Sequence, residues 1–269
     1  MIFKKLTAFL KKDIKVFTSY KLSFLMTCFG MVLSVTTFYY IGKLFGKSAN
    51  QYLTAYKTDY FPFVLVGIAF YAYLSTSLRT FSSHIREAQV TGVLESMLVT
   101  PSSFVEIIAG MSVWDFIFAS IRILVYLALG ICFFGVRFNN PNILAALLIL
   151  VLTIVCFSSI GIMSAGFILI FKRSEPIGAF IGAVTGLFGG VYFPVEVLHP
   201  KLQFISYILP VTYSLRGLRF ALLTGYSLKA LIPDIAILSL FCLILAPLAI
   251  IVFKYTLRRV KIEGGLAHY

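Results

Sequence analysis

Residues 143–171, ILAALLILVLTIVCFSSIGIMSAGFILIF, contain no charged side chain. About 20 apolar residues suffice for a helix to cross a bilayer. Hydrocarbon offers no partner to a backbone N–H or C=O, so a spanning segment must satisfy its own, as a helix does. An uncharged run of this length therefore selects a membrane-spanning helix. Apolar runs with few charges cover 22–44, 60–78, 104–134 and 231–253, and a shorter, glycine-rich one covers 177–190. Composition agrees: 60% of the 269 residues are apolar and 12% charged, against about half and a quarter in soluble domains. The expected fold class is an all-α integral membrane protein with six transmembrane helices.

The net charge of +13 does not point to nucleic acid. The basic residues stand mostly at the ends of the apolar runs, where lipid headgroups and topology account for them. With both termini placed in the cytoplasm, fourteen basic residues fall inside and eight outside, with Arg122 left within a span. The excess supports that orientation. Phe38, Tyr39, Tyr40, Tyr52, Tyr56, Tyr60 and Phe61 surround the first external loop as an interfacial aromatic belt would.

Three segments are not plain spans. Over 1–21, Phe3, Leu6, Leu10, Ile14 and Phe17 recur at helical spacing, with lysines on the rest of the circumference. This predicts an amphipathic helix lying in the membrane interface, and the segment lacks the apolar core of a signal peptide. The second segment is REAQVTGVLESMLVTPSS, in the internal loop after span two. It is too polar to cross, yet Val90, Val93, Leu94, Met97 and Leu98 keep helical spacing, and Pro101 ends the helix. Its residues fit a docking surface for another protein or a helix resting on lipid. The third segment is 191–223, where two half-length apolar pieces flank Leu209-Pro210 after a Phe193-Pro194 turn. The pattern predicts a re-entrant hairpin between spans five and six, or a loop capping the bundle.

The second and third segments carry a family resemblance. VTGVLESMLVTPSS resembles the G-T-L-E-x-L-L-V-T-P pattern in the coupling helix of type-2 ABC transporter permeases, the type V exporters. GGVYFPVEVLHPKLQFISYILPVTYSLRGLR resembles the same family's signature near its fifth span, with Gly190, Phe193, Pro194, Tyr207, Pro210, Thr212, Tyr213 and Arg219 in place. Val93 stands where threonine is usual, and Arg216 where the family often has an acidic or neutral residue. The resemblance implies a six-span permease domain over 22–269, with a coupling helix at 86–101, after the interfacial helix at 1–21. It also implies a homodimer in which each chain docks a separate ATPase. ATP and magnesium then belong to that partner, and no cofactor to this chain. The implied coupling residues are Gly92, Leu94, Glu95, Met97 and Pro101, with Lys172 and Arg173 in a smaller second contact. The implied conduit lies along spans one, two and five and the hairpin. Its lining or outer mouth takes in Phe193, Pro194, Tyr207, Pro210, Tyr213, Arg216 and Arg219, the two arginines meeting headgroups or an anionic substrate.

The expected cargo is an amphipathic small molecule, peptide or lipid, exported through a bacterial or archaeal inner membrane. A lipid-linked polysaccharide is the alternative, and an ion-coupled carrier or a scaffold without an ATPase is the alternative of another class. Arg122 lies mid-span, with Asp115 two turns earlier on about the same face. A charge at the bilayer centre costs at least about 2.5–3.5 kcal/mol, so Arg122 must face protein or water. It either lines the conduit or makes a structural polar contact. The chain has no paired carboxylates, G-x-S-x-G, H-E-x-x-H or metal-ligand spacing, and its four cysteines, each inside an apolar run, read as fillers. Gly46-Lys47-Ser48 imitates the end of a P-loop, but it follows a span rather than a strand and Ile41 occupies the first glycine position.

Overall fold

The computed structural model describes residues 19–93, 104–171 and 176–262, together with positions 7, 11, 14, 15 and 96. The interfacial helix expected over 1–21 lies otherwise outside the described residues. Among the described residues there are eight α-helices of nine residues or more and no strand. They are α1 (Lys21–Ala49), α2 (Tyr60–Val90), α3 (Phe104–Phe134), α4 (Ile143–Phe171), α5 (Pro176–Phe188), α6 (Pro200–Ile208), α7 (Pro210–Leu223) and α8 (Ile232–Ile262).

Five of these, α1 to α4 and α8, are long and apolar enough to cross a membrane. The fifth expected span, α5, has 13 residues. At 1.5 Å per residue it reaches about 20 Å, short of a hydrocarbon core of about 30 Å. α1 also runs further than the apolar pattern predicted. Gly46-Lys47-Ser48 lies inside that helix, so the P-loop likeness is one of letters only.

α2 is the centre of the bundle. It packs against α1, α3, α4, α5 and α7 and is largely buried, whereas little of α1, α3 and α8 is buried. The exposed side chains on those three helices include Leu22, Phe29, Leu124, Phe133, Leu243 and Ile251, the outward apolar faces that lipid requires. The main core joins Val66, Phe70 and Leu74 of α2 to Ile149 and Phe157 of α4, Leu215 and Leu218 of α7, and Leu238 of α8. A second cluster, at the end of the bundle where α1 finishes and α2 begins, gathers Val35, Leu53, Tyr56, Phe63 and Leu65. A third, at the opposite end, joins Phe81 and Ile85 to Leu169, Phe253 and Val260.

Small residues set the distance between α2 and α4. A methyl group on Gly161 would lie 2.6 Å from the Ser77 carbonyl oxygen and 3.0 Å from that of Leu78. Helices in lipid associate by close van der Waals contact, which small residues permit. Gly161→Val is therefore expected to destabilise the protein by about 1–3 kcal/mol, as overpacking does. A lowered melting temperature in detergent would register it, and an unchanged one would refute the close contact.

The segment expected to form a hairpin is two short helices broken at Leu209. That residue is extended (φ −86°, ψ 127°), as a following proline demands. The two halves are unequal. α6 is mostly exposed, with Ser206 its buried residue, whereas nearly all of α7 is buried against α2, α4 and α8.

Candidate functional site: a polar groove on α2 and α3

The residues singled out from the sequence fall in three places. Gly92 sits just past the end of α2 with φ +69°, a left-handed conformation that glycine adopts without penalty. Leu94, Glu95, Met97, Pro101, Lys172 and Arg173 lie outside the described residues.

The second place is the opposite end, where the expected mouth residues form a tied cap. Arg219 is 2% exposed. Its Nε donates to the Phe63 carbonyl (3.1 Å), and its two terminal nitrogens donate to Gly190 (2.7 Å) and Val191 (2.9 Å). Its guanidinium lies 3.5 Å from the centre of the Phe63 ring. The expectation that Arg219 meets headgroups or substrate is thus corrected: every face of it is taken up by protein. Arg216 pairs with Asp234 at the start of α8, its Nε donating over 2.9 Å to a carboxylate that is 7% exposed. It too is turned inward, with one-third of its side chain exposed.

Tyr213 donates to the Tyr207 carbonyl (2.9 Å), and Thr212 to that of Ser206 (2.6 Å), stitching α7 to α6 across the Pro210 break. Pro194 is buried and Phe193 half-buried in the turn before them. Tyr56, in the loop between α1 and α2, stacks on Phe220 at 4.7 Å. Burial pushes its phenol up to about 12, against the opposing pull of Arg219.

The third place is a polar face of α2 toward its Val90 end, beside α3. Ala72, Ser75, Thr76, Arg79, Ser83 and Arg86 recur every three or four residues along α2 and so share one face. All are half-buried or exposed. The Thr76 and Ser83 hydroxyls bond back to carbonyls of their own helix, those of Ala72 (3.1 Å) and Arg79 (2.9 Å). Beside this stripe stand Asp115 and Arg122 of α3, and together they line a groove of about 320 Å³. One Asp115 carboxylate oxygen accepts from the Thr80 hydroxyl (2.6 Å) and contacts His84 Nε2 (2.9 Å). Arg122 lies over the Phe118 ring at 4.7 Å, and its buried Nε has no hydrogen-bond partner among the described residues. Of the three arginines singled out, it alone keeps a buried donor unused.

Sequence reading placed Asp115 and Arg122 on one face but missed their neighbours. The spacing of Ser75, Thr76, Arg79 and Ser83 was available as a signal. It was passed over because span two was ended at Leu78, before the helix ends. The Thr80–Asp115–His84 contact joins two helices and leaves no mark in either segment alone.

If the cap rests on Arg219, Arg219→Met leaves the Gly190 and Val191 carbonyls unpaired at about 1–3 kcal/mol each and costs the Phe63 carbonyl its second donor. Arg219→Lys has too few geometrically fixed donors to replace the fork. Both should lower the melting temperature, the methionine variant more. Equal stability of wild type and Arg219→Met would show that the cap holds without it.

Residues 5–223 match the family model described as ABC-2 type transporter. Among curated proteins, the chain is 26% identical over 214 residues to the inner membrane transport permease YadH of Escherichia coli, covering 78% of this chain and 80% of that protein. It is 27% identical over 161 residues to the linearmycin resistance permease protein LnrN of Bacillus subtilis, covering 60% of this chain and 41% of that one. With its several spanning helices this marks a multi-pass inner-membrane protein, a permease that works with a separate ABC ATPase and is not itself an enzyme. The chain belongs to the ABC-2 type transporter family.

Proposed function

We propose that this permease is one half of an ATP-driven exporter and that the polar groove on α2 and α3 is part of its conduit. The observation that carries the reading is the Ala72–Arg86 stripe with Arg122 beside it. Polar and charged groups at membrane depth are expensive unless they face protein or water, and this face is left uncovered among the described residues. A second copy of the chain, facing the first across the groove, would enclose it.

In this reading both termini are cytoplasmic, α5 makes a sixth crossing, and α6–α7 dip into the outer leaflet as a re-entrant hairpin. The ATPase engages the segment 86–101 through Gly92, Leu94, Glu95, Met97 and Pro101, with Lys172 and Arg173 as a second contact. The Bacillus relative is named for resistance to linearmycin. Resistance to a compound favours an amphipathic small molecule as cargo over a lipid-linked polysaccharide.

The test is reconstitution with the partner ATPase. Glu95→Lys is expected to abolish co-purification of the ATPase. Arg122→Leu is expected to leave co-purification intact and lower ATP-driven transport at least about tenfold, since tenfold is about 1.4 kcal/mol and the interactions of a membrane arginine exceed that. Normal transport by Arg122→Leu would remove the groove from the conduit. Transport driven by an ion gradient without any ATPase would overturn the whole assignment.

A further inference from the structure

The charges in the groove do not cancel, and the imbalance has a chemical consequence. Its acidic member, Asp115, is already engaged by Thr80 and His84. Arg122 attracts it by charge, but among the described residues neither Arg122 nor Arg79 is joined to it by a hydrogen bond. Arg79 is exposed along the stripe, and Arg122 keeps its buried Nε–H unpaired. Arg86 stands two turns beyond Arg79 on the same face. The lining beside them includes Ser75, Thr76 and Ser83; the Thr76 and Ser83 hydroxyls, which donate to carbonyls of their own helix, would have to rotate to serve a charged acceptor. Two arginines, a wall of hydroxyls and a volume of about 320 Å³ suit an oxyanion of the size of a phosphate ester.

Apolar surface lies in the same half of the bundle as the charged part. α1 packs on both α2 and α3, yet Leu22, Leu25, Met26 and Phe29 on it stay exposed. These belong to the half of α1 nearer the Val90 end of α2, the half in which Arg79 also lies. A polar hollow for an anion beside an apolar strip for a chain is the imprint of an amphiphile.

We infer that the groove is a binding site for the anionic headgroup, a phosphate or carboxylate, of an amphiphile at the level of the inner leaflet, gripped by Arg79 and Arg122. Basic pockets between membrane helices on the cytoplasmic side capture such headgroups. The inference rests on the orientation and conduit proposed above and narrows the cargo to anionic amphiphiles. The headgroup belongs to a bilayer lipid or to a transported molecule, and the two share this chemistry.

Binding is measured on the full chain in phosphatidylcholine nanodiscs, without ATP or ATPase, so it does not depend on the export reading. The probes are a fluorescent short-chain phosphatidylglycerol and its phosphatidylcholine counterpart. Wild type is expected to prefer the phosphatidylglycerol by about tenfold. Arg79→Gln with Arg122→Gln should abolish the preference, while Lys229→Gln, at an exposed site on the opposite side, should keep it. Should the double variant fail to fold, Arg79→Gln alone, on the exposed face, must reduce the preference by at least about threefold. Displacement of the probe by dodecyl phosphate would extend the site to single-chain anions such as a transported molecule. Displacement by phosphatidylglycerol alone would assign it to bilayer lipid. Equal affinity for the two probes, or a preference that survives both arginine changes, overturns the inference. ATP-driven export that persists with equal affinities would leave the transporter reading standing and remove only this site.

Discussion

A guanidinium buried with no acidic partner in hydrogen-bond contact holds the cap of this bundle together. Arg219 sits on α7, and its donors end on carbonyls of α2 and of the turn after α5. Three donors in a fixed fork are what a broken backbone needs. The turn at 190–191 exposes carbonyls that no helix ladder completes, and membrane depth offers no water to complete them; the Phe63 carbonyl, in the first turn of α2, accepts within its own helix and takes the Arg219 Nε–H on its second lone pair. The cap is then closed by close approach. A side chain at Gly67 would collide with the Val191 carbonyl oxygen and press on the Arg219 guanidinium, so glycine is required where the arginine passes. Arg216 performs the neighbouring join, tying α7 to α8 through Asp234. The region expected as a mouth is held by hydrogen bonds from Arg216 and Arg219 to α2, α8 and the turn after α5.

Arg122 is the contrasting case, and the contrast separates structure from function. All three arginines stand over an aromatic ring, so the ring does not distinguish them. What differs is whether the remaining donors are used. Arg219 donates to three carbonyls and Arg216 to a carboxylate, while Arg122 keeps a buried donor unpaired. Leaving a buried donor unmade costs about 1–3 kcal/mol. A fold under selection for stability alone would remove that cost with a leucine, so the cost marks a group kept for something outside the chain.

How far the sequence disclosed this depends on whether the signal was local. Apolar runs are local, and five spans and the helical character of the short segment at 177–190 were legible from them. Helix ends were less so: α1 runs on through Gly42 and Gly46, and α2 continues past Leu78 for three further turns, because packing sustains helices that composition alone would stop. The two arginines of α7 were misread for a related reason. Near a membrane surface the sequence pattern of a headgroup contact and of a buried clamp is the same, a cation close to the end of an apolar segment. Only the partners separate them, and those lie 156 positions away at Phe63 and 18 away at Asp234. Asp115 was legible as a charge in a span, but its partners on α2 were not.

One helix connects the three regions. α2 presents the Phe63 carbonyl to the cap at one end, carries the polar stripe along its middle and ends beside Gly92. Its 31 residues contain a proline only in the first turn, at Pro62, so it has no built-in kink and spans about 47 Å as one rod. A push at the Gly92 end cannot be absorbed by bending. Nor can the rod slide, since its far end is clamped through Arg219 and packed against Val191. What remains is a tilt about the cap, with displacement growing toward the Val90 end. Arg79 lies nearer that end than Ala72 does, so a tilt moves the charged part of the groove most. The clamp at the cap and the exposed stripe are thus joined by one helix, so that under the proposed coupling the cap would serve as the pivot and the stripe as the part displaced.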